Sequence, residues 1–289
     1  MGWEFEEREK TSAFEMVFSF PQIELKVFAR IIIWFIYLNT KGNIQMPKFF
    51  LPNESFGEDS VTVTGQAARH IAYSLRMAKG DSLTLSDMSG NQYDCIIESF
   101  TQDSVSAKIL SCTKAPGEPP CKIVLYQALA KGEKMDYIVQ KATELGVCEI
   151  VPFESERCIV KSDKKGDSAK TERRIKIATD AAGQCGRGRI PEIKPTVTFK
   201  EALEALSKNE LAFLCYEGEN TLSLKELLPE EIPSCIGFMI GPEGGFSQKE
   251  VDAASKCAVK LAGLGKRILR TETAPLFVLS ALSVLAERD

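Results

Sequence analysis

A chain of 289 residues that is 44% hydrophobic and 26% charged has the makeup of an ordinary folded protein, with length for two domains. That balance excludes disordered and fibrous classes, and a net charge of −4 does not by itself point to a nucleic-acid binder.

The first 45 residues look foreign to the rest. They hold a twelve-residue apolar run, 27–38, interrupted by Arg30 and too short for a membrane span, which needs about 20 apolar residues. The leader before it is acidic and has no small-residue cleavage site, which argues against a signal peptide. Residues 1–45 are read as an extension outside the native fold, with Met46 opening the first domain and no membrane association expected.

From 46 to 115 the pattern is strand-like. The stretches 61–64, 82–86, 92–100 and 104–112 are short, β-rich and separated by turn signals, with a short helix over Gln66–Ser74. Such spacing suggests a small barrel or sandwich. A Pro/Gly-rich linker, "TKAPGEPP" at 113–120, marks the boundary.

Strand–helix alternation follows. Strands are expected at 122–129, 148–153, 210–216, 234–240 and 259–264. Helices are expected at 134–145, stopped by Gly146, at 168–184 and at Thr273–Glu287. This alternation argues an α/β domain over 121–289 with a mostly parallel sheet. Residues 157–194 carry eleven Lys/Arg against five Asp/Glu, a local excess of six that leaves −10 for the remainder. A basic island on an acidic protein can neutralise phosphates, or it can be a solvated helix face.

The cysteines and the histidine narrow the chemistry. Nine cysteines form no C-x-x-C pair and their number is odd, so neither a disulfide framework nor a zinc site is indicated, and free thiols in a reducing cytoplasm fit better. The single histidine, His70, is read as structural, which removes His-based triads and metal sites.

Two strand-to-loop junctions remain as ligand candidates. The stretch "GFMIGPEGGFSQKE" (237–250) ends a strand in a bare-backbone loop, and Ser247 with Glu250 forms a capping box that starts a helix. Neither phosphate-loop nor dinucleotide spacing is present, and Glu243 would repel a pyrophosphate. A ligand carrying hydroxyls or positive charge suits the loop better. The second junction, "LGKRILRTETA" (264–274), has Ile268 where a dinucleotide fingerprint wants its third glycine. Thr271 and Thr273 can cap the last helix, and Glu272 favours its positive end. Both loops fall near the carboxyl ends of strands, where open α/β sheets bind ligands.

"IGPEGGFSQKEV" followed by "LGKRILRTETAPLFVLSAL" resembles the paired signature of the RsmE family, the small-subunit ribosomal RNA methyltransferases of the SPOUT superfamily. Further matches are "KGEKMDYIVQKATELGV" (131–147), "SERC" (155–158), "GQCGRGRIPEI" (183–193), "PKFFLP" and "HIAYSLRMAKGD" (70–81), so the resemblance runs in order over 46–289. It implies a trefoil-knotted, mostly parallel sheet with flanking helices, preceded by a small β-rich PUA/OB-like barrel domain. It implies a cytoplasmic homodimer that uses S-adenosyl-L-methionine to methylate N3 of one uridine in the decoding region of 16S rRNA, within the 30S subunit.

Carried over residue by residue, the cofactor pocket involves Gly241, Glu243, Gly244 and Gly245 from one loop, and Leu264, Gly265, Ile268, Leu269, Arg270 and Thr271 from the other. Arg270 and Arg187 are candidates to stabilise negative charge on the uracil, and Glu272 to take its proton. Lys48 stands where a family member often has Arg. The alternatives are a non-catalytic RNA-binding protein of ribosome assembly and an NAD- or nucleotide-dependent α/β enzyme.

Overall fold

The computed structural model describes residues 48–162, 164–229 and 231–286. The apolar run at 27–38 and the start at Met46 lie outside the described residues. No described helix is long and apolar enough to cross a membrane.

Strands β1 (Lys48–Phe50), β2 (Ser60–Thr64), β3 (Ser82–Ser86), β4 (Asn91–Phe100) and β5 (Ser104–Lys114) form one sheet in the order β1-β3-β4-β5-β2. Only the β1–β3 pair is parallel. Val61 and Val63 of β2 point inward with polar neighbours outward, the period-2 alternation of a half-buried strand. Register shifts in β4 at Asp94/Cys95 and Ile97/Ser99 bend the sheet around Leu83, Leu85, Ile97 and Val105. Helix α1 (Gly65–Arg69) continues as a π turn over His70–Ser74, so the expected single helix is two turns of different pitch. His70 stands edge-on to Phe49, with ring centroids 5.7 Å apart.

The second sheet is parallel throughout. It contains β6 (Lys122–Ala128), β7 (Glu149–Glu154), β8 (Glu192–Ile193), β10 (Leu211–Cys215), β11 (Leu222–Ser223), β12 (Cys235–Ile240) and β13 (Lys260–Gly263) in the order β11-β13-β10-β12-β6-β7-β8, and β9 (Val197–Thr198) also pairs with β7. The helices are α2 (Lys134–Glu144), α3 (Lys164–Gln184), α4 (Phe199–Leu206), α5 (Leu224–Leu227), α6 (Gln248–Lys256) and α7 (Ala274–Ala286).

Both faces of this sheet are covered, as a parallel sheet requires. Ile123, Leu125, Phe213 and Phe238 face one core with Ile138 and Val139 of α2 and Val278 and Leu279 of α7. Val124, Tyr126, Leu214 and Met239 face the other with Leu203 and Leu206 of α4 and Val251 of α6. Each such side chain contributes about 1.5–3 kcal/mol relative to exposure. Gly146, at φ +88, stops α2 as expected, and Val147 N–H bonds back to Ala142 O at 3.0 Å.

Helix α4 is not among the expected helices. Its signal is present all the same: Thr198 and Glu201 form a reciprocal capping box ahead of an apolar-periodic stretch. Strands β8, β9 and β11, each of two residues, carry too little pattern to be read.

The segment 186–189 pins the two sheets together. Lys48 Nζ reaches Gly186 O at 3.1 Å, Ser86 Oγ reaches Gly188 O at 2.7 Å, and Arg189 Nη2 reaches Ser89 O at 2.9 Å. Lys48 is therefore committed to the interior contact, and burial lowers its pKa.

Candidate functional site

Every strand of the parallel sheet delivers its carboxyl end to one edge, and the two ligand-candidate loops leave from the strands on either side of β10. The 241–247 loop follows β12 and the 264–273 loop follows β13. Gln127, fully buried at the end of β6, donates to Thr271 Oγ1 at 3.1 Å, and that hydroxyl donates to Gly241 O at 2.7 Å. A short polar chain thus ties the two loops together, with Thr271 bridging them rather than simply capping α7.

Between the loops lies a cavity of ≈ 560 Å³. Of the residues expected to hold a cofactor, Gly241, Glu243, Gly245, Leu264, Gly265, Ile268, Leu269, Arg270 and Thr271 line it. Gly244 does not: a side chain there would meet Arg157 Cβ at 3.3 Å, and its carbonyl accepts from Arg157 Nη1 at 3.1 Å. Gly244 braces the loop from behind.

Arg187 also fails to join the cavity. It is 2% exposed, its Nη2 pairs with Glu118 at 2.9 Å, and its Nη1 donates to the carbonyls of Thr143 and Val147. A guanidinium so enclosed and so fully used is a structural pin, which corrects the expectation that it meets the reacting base.

Glu272 sits beside the cavity as an anchor. Its Oε2 lies 3.3 Å from Lys134 Nζ, an ion pair without hydrogen-bond alignment, and its Oε1 lies 4.0 Å from Arg270 Nη1. Lys134, which sequence reasoning missed, also donates to Glu243 Oε1 at 3.0 Å, and Lys131 N–H donates to the same oxygen at 3.1 Å. One ammonium therefore links the start of α2 to both loops.

The Glu243 bond, helped by the Glu272 contact, raises the Lys134 pKa above its ordinary value against slight desolvation. Partial burial pushes Glu243 upward, but hydrogen bonds from its own amide, from Lys131 N–H and from Lys134 outweigh this and hold it low. A depressed carboxylate stabilises the fold above its unfolded value and loses that contribution as pH falls through the folded one. Compared with Glu243→Gln, the wild type should hold a higher thermal midpoint at pH 7, the gap closing below the ordinary value of 4.5. The side chain is partly exposed and screened by solvent, so the gap should be modest, about 1 kcal/mol or less. Thermal scans across pH check this; a gap that widens in acid contradicts the clamp.

The Gly-rich loop is held from outside by the 155–158 segment. Glu250, buried at the start of α6, accepts from Ser155 Oγ at 3.2 Å and Glu156 N–H at 3.0 Å while closing the capping box with Ser247. Ser247 Oγ in turn donates to Glu156 at 2.6 Å. Tyr216 and Glu217, following β10, complete the cavity wall; sequence reasoning missed both, and their place at a strand's carboxyl end is the signal that could have found them.

The donor set suits a sulfonium nucleoside. Gly265 sits at φ +99 with nothing within 4 Å of where a Cβ would stand, so the backbone is uncovered there. Ile240, Leu264, Leu269 and Ala274 offer apolar surface for a base, and the Glu217 carboxylate offers an acceptor for sugar hydroxyls. The volume falls within the range of small-ligand pockets. Among the described residues no group of His, Cys, Asp or Glu is arranged to hold a metal, and all nine cysteines are free.

Comparison with known proteins agrees in class. The family described as RNA methyltransferase domain matches residues 117–283, and the RNA methyltransferase PUA domain matches residues 63–110. A ribosomal RNA small subunit methyltransferase E from Bacillus subtilis (strain 168) is 34% identical over 231 residues, covering 78% of this chain and 90% of that protein. The crystal structure of a ribosomal RNA small subunit methyltransferase E from Neisseria gonorrhoeae, bound to S-adenosyl methionine, superposes with a TM-score of 0.74 at 32% identity, covering 83% of this chain and 98% of that one. A putative methyltransferase from Legionella pneumophila in complex with the bound cofactor SAM does so with a TM-score of 0.74 at 33% identity, covering 83% and 97%. The chain belongs to the ribosomal RNA small subunit methyltransferase E family.

Proposed function

We propose that this chain methylates N3 of a uridine in the decoding region of 16S rRNA, within the 30S subunit, with S-adenosyl-L-methionine as donor. The observation that carries the reading is the single cavity shared by the 241–247 and 264–273 loops, in a chain of this family. The bound donor would supply an electrophilic methyl group on a positively charged sulfur. Gly241, Gly265 and the backbone through Arg270 would hold its nucleoside, and Glu217 would take its hydroxyls.

Uracil N3 carries a proton and is a poor nucleophile until that proton leaves. Arg270, whose side chain is 81% exposed at the cavity mouth, is free to turn toward a base and offset negative charge on its oxygens. Glu272 acts as a positioning residue, its carboxylate 3.3 Å from Lys134 Nζ. The N3 proton passes to water. Positioning of N3 against the methyl supplies the larger part, up to about 7–11 kcal/mol in well-oriented cases. Because N3 lies on the pairing edge, a paired uridine must be extruded first. The arrangement is read as a trefoil-knotted SPOUT domain over 121–289, a PUA/OB-like domain over 46–115, and a cytoplasmic homodimer.

Mapping N3-methyluridine in small-subunit RNA from cells lacking the chain tests the reading. Loss of one modified position, restored by the intact gene, is expected; an unchanged map overturns it. Calorimetry should show S-adenosylmethionine binding and no NAD binding. Arg270→Ala should lower kcat about 10- to 100-fold while leaving the thermal midpoint within about 2 °C, because an exposed side chain contributes little to folding. Wild-type turnover in this variant removes its role.

A further inference from the structure

A second cavity, of ≈ 280 Å³, adjoins the first. The 131–136 segment is the wall between them: Lys134 faces the larger cavity, while Gly132, Met135 and Asp136 face the smaller. Its far side is α3, which contributes Asp167, Lys170, Arg173 and Arg174. None of the sequence motifs singled out for cofactor binding reaches it.

Arg174 is the anomaly. It is 5% exposed, and its Nη1 has no hydrogen-bond partner. Among the described residues it enters no ion pair. Burial pushes its pKa down, opposed by the attraction of Asp167 and Asp136. Those two carboxylates are committed elsewhere: Asp136 binds Arg173 Nη2 at 2.5 Å, and Asp167 accepts from Thr196 N–H at 3.0 Å and Thr196 Oγ1 at 2.6 Å. Lys170 precedes Arg174 by four residues, so both lie on one face of α3, and both line the cavity. An arginine cannot shed its charge, so a desolvated guanidinium whose Nη1 lacks an acceptor is costly unless an anion completes the site. Planar guanidinium donors match phosphate oxygens in particular.

The occupant follows from the surroundings. The cavity lies at the carboxyl edge of the parallel sheet, against the wall of the cofactor cavity. Its side from Val160 to Arg174 belongs to 157–194, the segment with six excess positive charges on an otherwise acidic chain. We propose that this cavity takes a backbone phosphate of the RNA substrate, held by Arg174 and Lys170, so that the strand is registered beside the cofactor cavity. The inference rests on the RNA-methylating reading above.

The test uses the full chain as wild type, Lys170→Gln and Arg174→Met, with small ribosomal subunits from cells lacking the chain as RNA probe. Each variant should weaken binding to the subunits about 5- to 20-fold, and the slope of log affinity against log salt should flatten by about 0.7–0.9, because one phosphate is no longer neutralised. S-adenosylmethionine affinity should stay within about twofold, since neither side chain lines the cofactor cavity. Arg174→Met should also melt higher than wild type, because it removes a buried unpaired charge; a purely structural arginine would melt lower on removal. Inorganic phosphate, compared with chloride at equal ionic strength, should raise the wild-type midpoint and leave both variants unmoved.

Unchanged subunit affinity and salt slope in both variants overturn the proposal. If phosphate still separates wild type from variants in that case, the site takes a small free phosphate instead of RNA. Lys170→Gln keeps the test decisive if Arg174→Met does not fold. Methylation is scored in the same assay: an inactive wild type sinks the proposed function, whereas an active wild type matched by both variants sinks only the phosphate site.

Discussion

Gly265→Val should weaken S-adenosylmethionine binding at least about 100-fold while the protein stays folded, because two effects act at one position. The backbone there holds φ +99, a left-handed conformation that a β-branched residue adopts only at a cost of about 1–3 kcal/mol. The added side chain would also project into open space in the cavity wall, where a ligand would meet bare backbone. Gly244 is the contrasting control. It has no left-handed φ and a Cβ there would face Arg157, so Gly244→Ala should disturb the loop's outer brace and change affinity less than about tenfold. Calorimetry with the donor, alongside thermal scans, reads both. Equal losses in the two variants would mean that the pocket is drawn in the wrong place.

Arg187→Ala should destabilise the fold by about 3–5 kcal/mol, the usual result of removing one partner from a buried ion pair. Besides Glu118, the guanidinium satisfies the carbonyls of Thr143 and Val147, which cap the end of α2. Its loss leaves three acceptors short of a donor and loosens the pin between the two sheets. For a chain of this size the thermal midpoint should fall by about 6–20 °C. Donor affinity, measured on the folded variant below its midpoint, should be unchanged. A variant that melts like wild type but no longer methylates would return Arg187 to the reaction.

Arg187 shows where reading residues in order goes astray. Its neighbourhood, "GQCGRGR", marks it as important, and the residue type suits an anionic reaction, but importance in a motif does not say for what. Glu118, 69 residues earlier in the linker, decides the matter, and no local pattern pairs the two.

Most of the longer elements were legible along the chain, α4 excepted. Long apolar-periodic stretches such as 134–144 and 274–286, buried strands such as 235–240, and punctuation such as Gly146 and Ser247 all act through neighbours within a few residues. The two bare-backbone loops were legible for the same reason, since their glycines and capping box are contiguous. What the chain order could not disclose was which distant groups meet. Lys134 clamps Glu243 and Glu272 from more than a hundred residues away, and Gln127 reaches Thr271. Arg174 ends buried with its Nη1 lacking a hydrogen-bond partner. Those pairings depend on the strand order of the parallel sheet, which brings non-sequential carboxyl ends to one edge, and burial at that edge gives each charge its consequence.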